Sequence, residues 1–136
     1  MIVGLCHGCF DILHFGHIRH FQAAKKLCDK LCVSVTADEF VNKGPDRPVF
    51  TLKQRMETIS ALSCVDWVED SPHPTGVEVM ESLKPNILFK GSDYTLDHPA
   101  LKEEREVCER LGIKIVFTNE DTSSSTEALR RLRGER

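Results

Sequence analysis

The chain has 136 residues with a formal charge of −3, and 40% of its residues are hydrophobic and 29% charged. That amounts to one domain, residues 1–136, with enough apolar side chains for a full core. The mild negative charge gives no electrostatic basis for nucleic-acid binding. No apolar stretch reaches the ~18 residues of a membrane span, and Met1 runs straight into a strand-like segment rather than a signal peptide, so we expect a soluble cytoplasmic protein.

Ile2 to Cys6 reads as a short buried strand. The stretch behind it, Gly8 to Phe21 (GCFDILHFGHIRHF), is a glycine turn opening into a helix, with Ile18, Phe21, Ala24 and Cys28 at helical spacing. Leu31 to Thr36 is a second strand, and strand, helix and strand within ~35 residues fit a right-handed βαβ crossover and hence a parallel sheet. Asp38 to Phe50 breaks the pattern. Its segment NKGPDRPVF makes a loop long enough to suspect a functional one. Thr51-Leu52-Lys53-Gln54 has capping-box spacing and starts a helix carrying Met56, Ile59 and Leu62.

Val65 to Glu69 is a third strand candidate. Thr75-Gly76-Val77-Glu78 repeats the capping-box spacing for a short helix through Leu83, which Pro85 closes. Asn86 to Lys90 is the fourth strand and runs into the turn Gly91-Ser92-Asp93-Tyr94. Asp97-His98-Pro99 opens a helix ending at Gly112, Ile113 to Thr118 is the fifth strand, and Ser124-Ser125-Thr126-Glu127 caps a last helix. This alternation predicts an open α/β fold, a parallel sheet of about five strands with helices on both faces. Such sheets bind ligands at the carboxyl ends of their strands.

Four groups of residues converge on that edge: Gly8 to His17, Lys43 with Arg47, Lys90 to Tyr94, and Ser123 to Thr126. A glycine turn entering a helix offers backbone N–H groups and the positive end of a dipole, which suits phosphate. His14 and His17, three apart, add donors to the same point, and Gly16 lets a ligand come close. Taken singly, each group has a plainer reading: surface or capping histidines, a solvated loop pair, a helix cap. Among the six cysteines, Cys6-His7-Gly8-Cys9 is formally a CxxC, which raises a redox or metal alternative, although buried thiols account for most of the six. His7, His14, His17 and His20 raise a zinc alternative.

GCFDILHFGH resembles the GxFDxxHxGH signature of the cytidylyltransferase-like nucleotidyltransferases. NKGPDRPVF, QRM, VDWV, KGSDY and SSST extend the likeness over nearly the whole chain, toward the sugar-phosphate branch that includes the nucleotidyltransferase domain of the bifunctional heptose-phosphate enzymes. The resemblance implies a Rossmann-like domain, a homodimer, and transfer of a nucleoside monophosphate from CTP or ATP to a phosphorylated or phosphonate small molecule, releasing pyrophosphate with Mg²⁺ as cofactor. By the same resemblance His14, His17 and Lys43 are catalytic, and Gly8, Cys9, Phe10, Asp11 and Gly16 form the turn that faces the triphosphate. Lys90, Gly91 and Asp93 lie beside base and ribose, Ser124, Ser125 and Thr126 hold outer phosphates, and Arg47 contacts substrate. Thr118 to Thr122 lacks the arginine that glycerol-phosphate relatives carry there, which favours a sugar phosphate over glycerol 3-phosphate. The kinase domain of the bifunctional enzymes is not in these residues, so the phosphorylated acceptor would be made elsewhere. A nucleotide-binding module without turnover is the alternative of another class.

Overall fold

The structure, a computed structural model, describes residues 1–41, 43–91 and 99–118. Five parallel strands form one sheet in the order β3-β2-β1-β4-β5: β1 is Val3–Gly8, β2 Lys30–Thr36, β3 Trp67–Ser71, β4 Ile87–Lys90 and β5 Lys114–Phe117. Between them run α1 (Phe15–Lys25), α2 (Leu52–Ser60), α3 (Val77–Leu83) and α4 (Lys102–Leu111). The expected Rossmann-like α/β fold is what the structure shows, with strand bounds shifted by a residue or two from the sequence reading.

Alternation along the strands builds two cores. Cys6, Leu31, Val33, Val35 and Phe89 face Phe21 and Ala24 of α1 and Ile59 of α2. Their neighbours Leu5, Cys32 and Leu88 face Val79 and Met80 of α3 and Val107 and Cys108 of α4. Strand β2 is buried on both faces from Leu31 to Thr36, and its two polar residues, Ser34 and Thr36, are buried with the rest. Gly4 is required by packing, since a Cβ there would fall 2.5 Å from the Phe89 ring.

Consecutive elements from β1 to β3 use one face of the sheet, and the chain then crosses to the other face for α3 and α4. The switch lies between β1 and β4, which pair through Gly4–Ile87, Leu5–Leu88 and Cys6–Phe89. An open sheet binds ligand in the crevice beyond such a point.

Three local readings change. Thr75 does not close a capping box: Gly76 is the N-cap of α3 with no side-chain cap bond, and the Thr75 hydroxyl accepts from Val77 N at 3.3 Å. The segment Pro99–Leu101 is a 3₁₀ turn and α4 begins only at Lys102. The loop after β2 starts with a 3₁₀ turn at Asp38–Phe40. The sequence also places a helix start at Ser124, which lies outside the described residues.

Candidate active site at the β1–α1 turn

His14 and His17 cap α1 by means of each other. His14 is the N-cap residue, with extended backbone (φ −138°, ψ 178°), and its Nδ1 accepts a hydrogen bond from the Gly16 N–H at 3.0 Å. In return the His14 N–H donates to Nδ1 of His17 at 3.2 Å. This is a capping box with imidazoles in place of the usual hydroxyl and carboxamide. The spacing that suggested a pair on the first helical turn is thus a cap spacing, and one member sits just outside the turn. A nitrogen that accepts carries no proton, so in the neutral ring the proton of each histidine resides on Nε2. The ring centroids are 4.0 Å apart.

His17 stays neutral far below the usual histidine range. Burial pushes its pKa down to about 3, and the nearby His14, His20 and Lys43 push the same way. Lys43, exposed on the loop after β2, therefore shares the electrostatic neighbourhood of His17.

The turn preceding the helix is shaped by Phe10, a non-glycine residue with φ 49°. Left-handed backbone at such a residue costs of the order of 1 kcal/mol and is retained where the surroundings demand it. Here it carries the Phe10 ring edge-on between His17 and Phe21, with centroids at 5.5 and 5.1 Å. Gly8 keeps room for that ring, because a Cβ would approach it to 2.9 Å. Its carbonyl accepts from the Thr36 hydroxyl at 3.3 Å.

Asp11 is buried and faces the loop. Its carboxylate accepts from Val49 N at 2.8 Å, from Phe50 N at 2.9 Å and from the Arg47 guanidinium. Burial opposes the charge, but the Phe50 and Val49 amides and Arg47 outweigh it and hold the carboxyl below its ordinary range. Arg47, expected at the substrate, thus also pins its own loop to the turn. The stretch from Lys43 to Phe50 is hung on Asp11.

Arg55 completes the frame. Its side chain is almost wholly buried, and it donates to the carbonyls of Phe50 (3.0 Å), Cys9 (2.8 Å) and Thr36 (2.7 Å) and to the Asp38 carboxylate (2.6 Å). One guanidinium so ties the turn, the end of β2 and the loop together.

This strand-turn-helix at a switch point agrees with the comparisons with known proteins: the cytidylyltransferase-like family model fits residues 5–131. The chain belongs to the cytidylyltransferase-like family. The bifunctional protein HldE of Vibrio cholerae (serotype O1, strain O395) is 38% identical over 136 residues, which is 98% of this chain and 28% of that protein. HldE of Pseudomonas syringae is 35% identical over 132 residues, 95% of this chain and 27% of that protein. The chain therefore spans about a quarter of the length of these curated relatives. A crystal structure described as a lipopolysaccharide core biosynthesis protein from Thermoplasma volcanium superposes with a TM-score of 0.75 at 32% identity, covering 89% of this chain and 98% of that one. Pantoate-beta-alanine ligase from Francisella tularensis shares the fold, with a TM-score of 0.63 at 16% identity over 91% of this chain and 61% of its own.

In this cytidylyltransferase-like domain Gly8, Cys9, Phe10, Asp11, His14, Gly16 and His17 form one turn, with Lys43 and Arg47 on the loop over it. Lys90 and Gly91 stand at the end of β4, across the switch point. Asp93, Ser124, Ser125 and Thr126 lie outside the described residues. Among the described residues no three His, Cys, Asp or Glu side chains are placed to hold a metal ion. Of the four histidines raised for zinc, His7 bonds Ser34 at 2.7 Å and His20 bonds Thr118 at 2.6 Å. Cys6 lies in the core, where burial pushes its thiol pKa well up, so it is not an exposed redox thiol.

Arg55, quoted only within QRM, and Glu104 were given no role in the sequence reading. A signal was present: each sits in the buried stripe of an amphipathic helix, Arg55 with Ile59 and Glu104 with Val107 and Cys108. A charge at a core position means a buried partner.

Proposed function

We propose that this domain transfers a nucleoside monophosphate from ATP or CTP to a sugar phosphate, with release of pyrophosphate. The observation that carries it is the histidine capping box, which uses both Nδ1 atoms and so fixes the tautomer in which each neutral ring carries its proton on Nε2, at the start of α1. An acceptor phosphate oxygen attacks the α-phosphorus in line, a new P–O bond forms, and the bond to the bridging oxygen breaks as pyrophosphate leaves with the electron pair. No covalent intermediate with the protein is needed. His14 and His17, as neutral donors, meet the charge that grows on the α-phosphoryl oxygens, and Lys43 supplies a cation on the open side. The turn amides and the start of α1 hold phosphate.

Mg²⁺ fits this chemistry as a companion of the nucleotide. The acidic group of the turn, Asp11, already accepts from two amides and an arginine. The ion's ligands would then come mainly from phosphate and water, as is common for Mg²⁺. When bound it supplies charge neutralisation at the phosphates.

The sugar-phosphate assignment is supported by the likeness to HldE and to the lipopolysaccharide core biosynthesis protein. We also infer a cytoplasmic homodimer from the family resemblance. No helix among the described residues is long and apolar enough to cross a membrane. The deciding experiment is pyrophosphate release from ATP or CTP with a panel of sugar 1-phosphates, glycerol 3-phosphate and phosphonates, and sedimentation reads the oligomer. Release with a sugar phosphate is expected. Nucleotide binding without release for any acceptor would leave a binding module instead.

A further inference from the structure

On the side of the crevice away from the histidine cap, Lys90 is 8% exposed and Glu104 5%. The Lys90 ammonium lies 2.7 Å from Oε1 of Glu104, and Oε2 of the same carboxylate accepts from the Gly76 N–H at 3.0 Å. One side chain of α4 therefore joins the carboxyl end of β4 to the start of α3. The three meet closely. A Cβ on Gly76 would fall 2.8 Å from Glu104 Oε2 and 3.0 Å from the His7 ring, so only glycine lets α3 begin this near.

Charge decides what such a lysine does. A carboxylate in contact with an ammonium cancels most of the field that a ligand several ångströms away would feel, leaving a directional donor rather than a cation. Lys43, by contrast, is solvent-exposed beside His17, where a triphosphate needs net positive charge. The two lysines divide the crevice into a charged end and a neutralised end.

We propose that Glu104 is a positioning residue for the nucleoside part of the ligand: by neutralising Lys90 and fixing it against the start of α3, it makes the end of β4 an oriented donor to uncharged nucleoside acceptors. Although burial opposes its charge, Lys90 and the Gly76 amide hold the Glu104 carboxyl below its ordinary range, so it stands against Lys90 as a carboxylate. The inference rests on the proposed nucleotide reading for the identity of the ligand.

Titration of ATP, CTP and inorganic tripolyphosphate into the wild type, E104Q, K90M and K90M/E104M tests it. Glu104→Gln is expected to weaken the better-bound nucleotide about tenfold, and to leave tripolyphosphate unchanged or bound more tightly. K90M/E104M should bind the nucleotide no more weakly than K90M, since Glu104 acts through Lys90. Equal weakening of both ligands by E104Q, wild-type nucleotide affinity in E104Q, or a further loss on adding E104M to K90M would each overturn the proposal. Should E104Q fail to fold, the last comparison still decides, because replacing a buried ion pair by apolar side chains is often neutral for stability. A wild type that binds tripolyphosphate but neither nucleotide would instead remove the nucleotide reading itself.

Discussion

The backbone N–H of His14 donates to Nδ1 of His17 at 3.2 Å, so the histidine that is to touch phosphate is also the N3 residue of a helix cap. The same fold contains the ordinary version of this device. Thr51 and Gln54 cap α2 with reciprocal bonds of 3.2 and 3.0 Å. Capping and chemistry can therefore be separated at His17. His17→Gln keeps an acceptor for the His14 amide but replaces the imidazole Nε2–H by a carboxamide N–H that does not occupy its position, and we expect stability within about 1 kcal/mol of wild type and turnover at least ~10²-fold lower. Urea unfolding and pyrophosphate release measure the two; wild-type turnover in His17→Gln would remove His17 from the chemistry.

Acid should destabilise the fold earlier than carboxylate titration alone would. Burial pushes His7 down to about 4, Glu104 opposing and Lys90 assisting, and it pushes His17 to about 3, with His14, His20 and Lys43 assisting. The unfolded chain takes up these protons near the ordinary histidine value, ~6.5, while the native chain does not. Stability is thus complete above that value and is lost as pH falls toward 4, at up to ~1.4 kcal/mol per pH unit for each histidine. The depressed carboxyls of Asp11 and Glu104 continue the loss at lower pH. Unfolding free energy that stays flat from pH 7 to 4.5 would contradict this.

Arg55→Leu removes a guanidinium that serves the Phe50, Cys9 and Thr36 carbonyls, the last of them buried, and leaves them without that donor. A loss of about 3–5 kcal/mol is expected, the range for breaking a buried charged network. Arg55→Lys, able to reach fewer of these acceptors, should recover only part of it. Denaturant midpoints of the two variants give the comparison.

Asp11→Asn keeps the shape of the side chain but not its capacity to accept from two amides and an arginine. The loop carrying Lys43 should loosen from the turn, with turnover falling about tenfold or more and stability by about 3 kcal/mol. Proteolysis confined to residues 43–50 would report the loosening directly. A variant cleaved no faster there than wild type would show that Asp11 does not hold the loop.

The sheet was legible because strands buried on both faces must be apolar and because Gly and Pro punctuate the turns. The turn at Gly8 to His17 was legible because a strand, a glycine turn and a helix start in succession present backbone amides to an anion, and both histidines fall at that start. Less legible was anything that depends on long-range pairing. Nothing local to Asp11 says that it will meet Val49, Phe50 and Arg47, nor that Lys90 will find Glu104 on the following helix. Thr75 misled for a related reason: the box spacing is present, but Gly76 is drawn against His7 and Glu104, and that approach takes the cap position.

Strand β1 is central, paired with β2 along its length and with β4 through Gly4, Leu5 and Cys6. Its middle amides should exchange with deuterium only on global unfolding, whereas the exposed tip of the loop at Lys43 and Gly44, ahead of the residues held by Asp11, should exchange by local opening. The histidine cap follows that central strand after one short turn, whereas Lys43 stands exposed on the loop over it. Ligand entry can thus proceed by excursions of that loop tip alone, with the phosphate-facing donors held in register throughout.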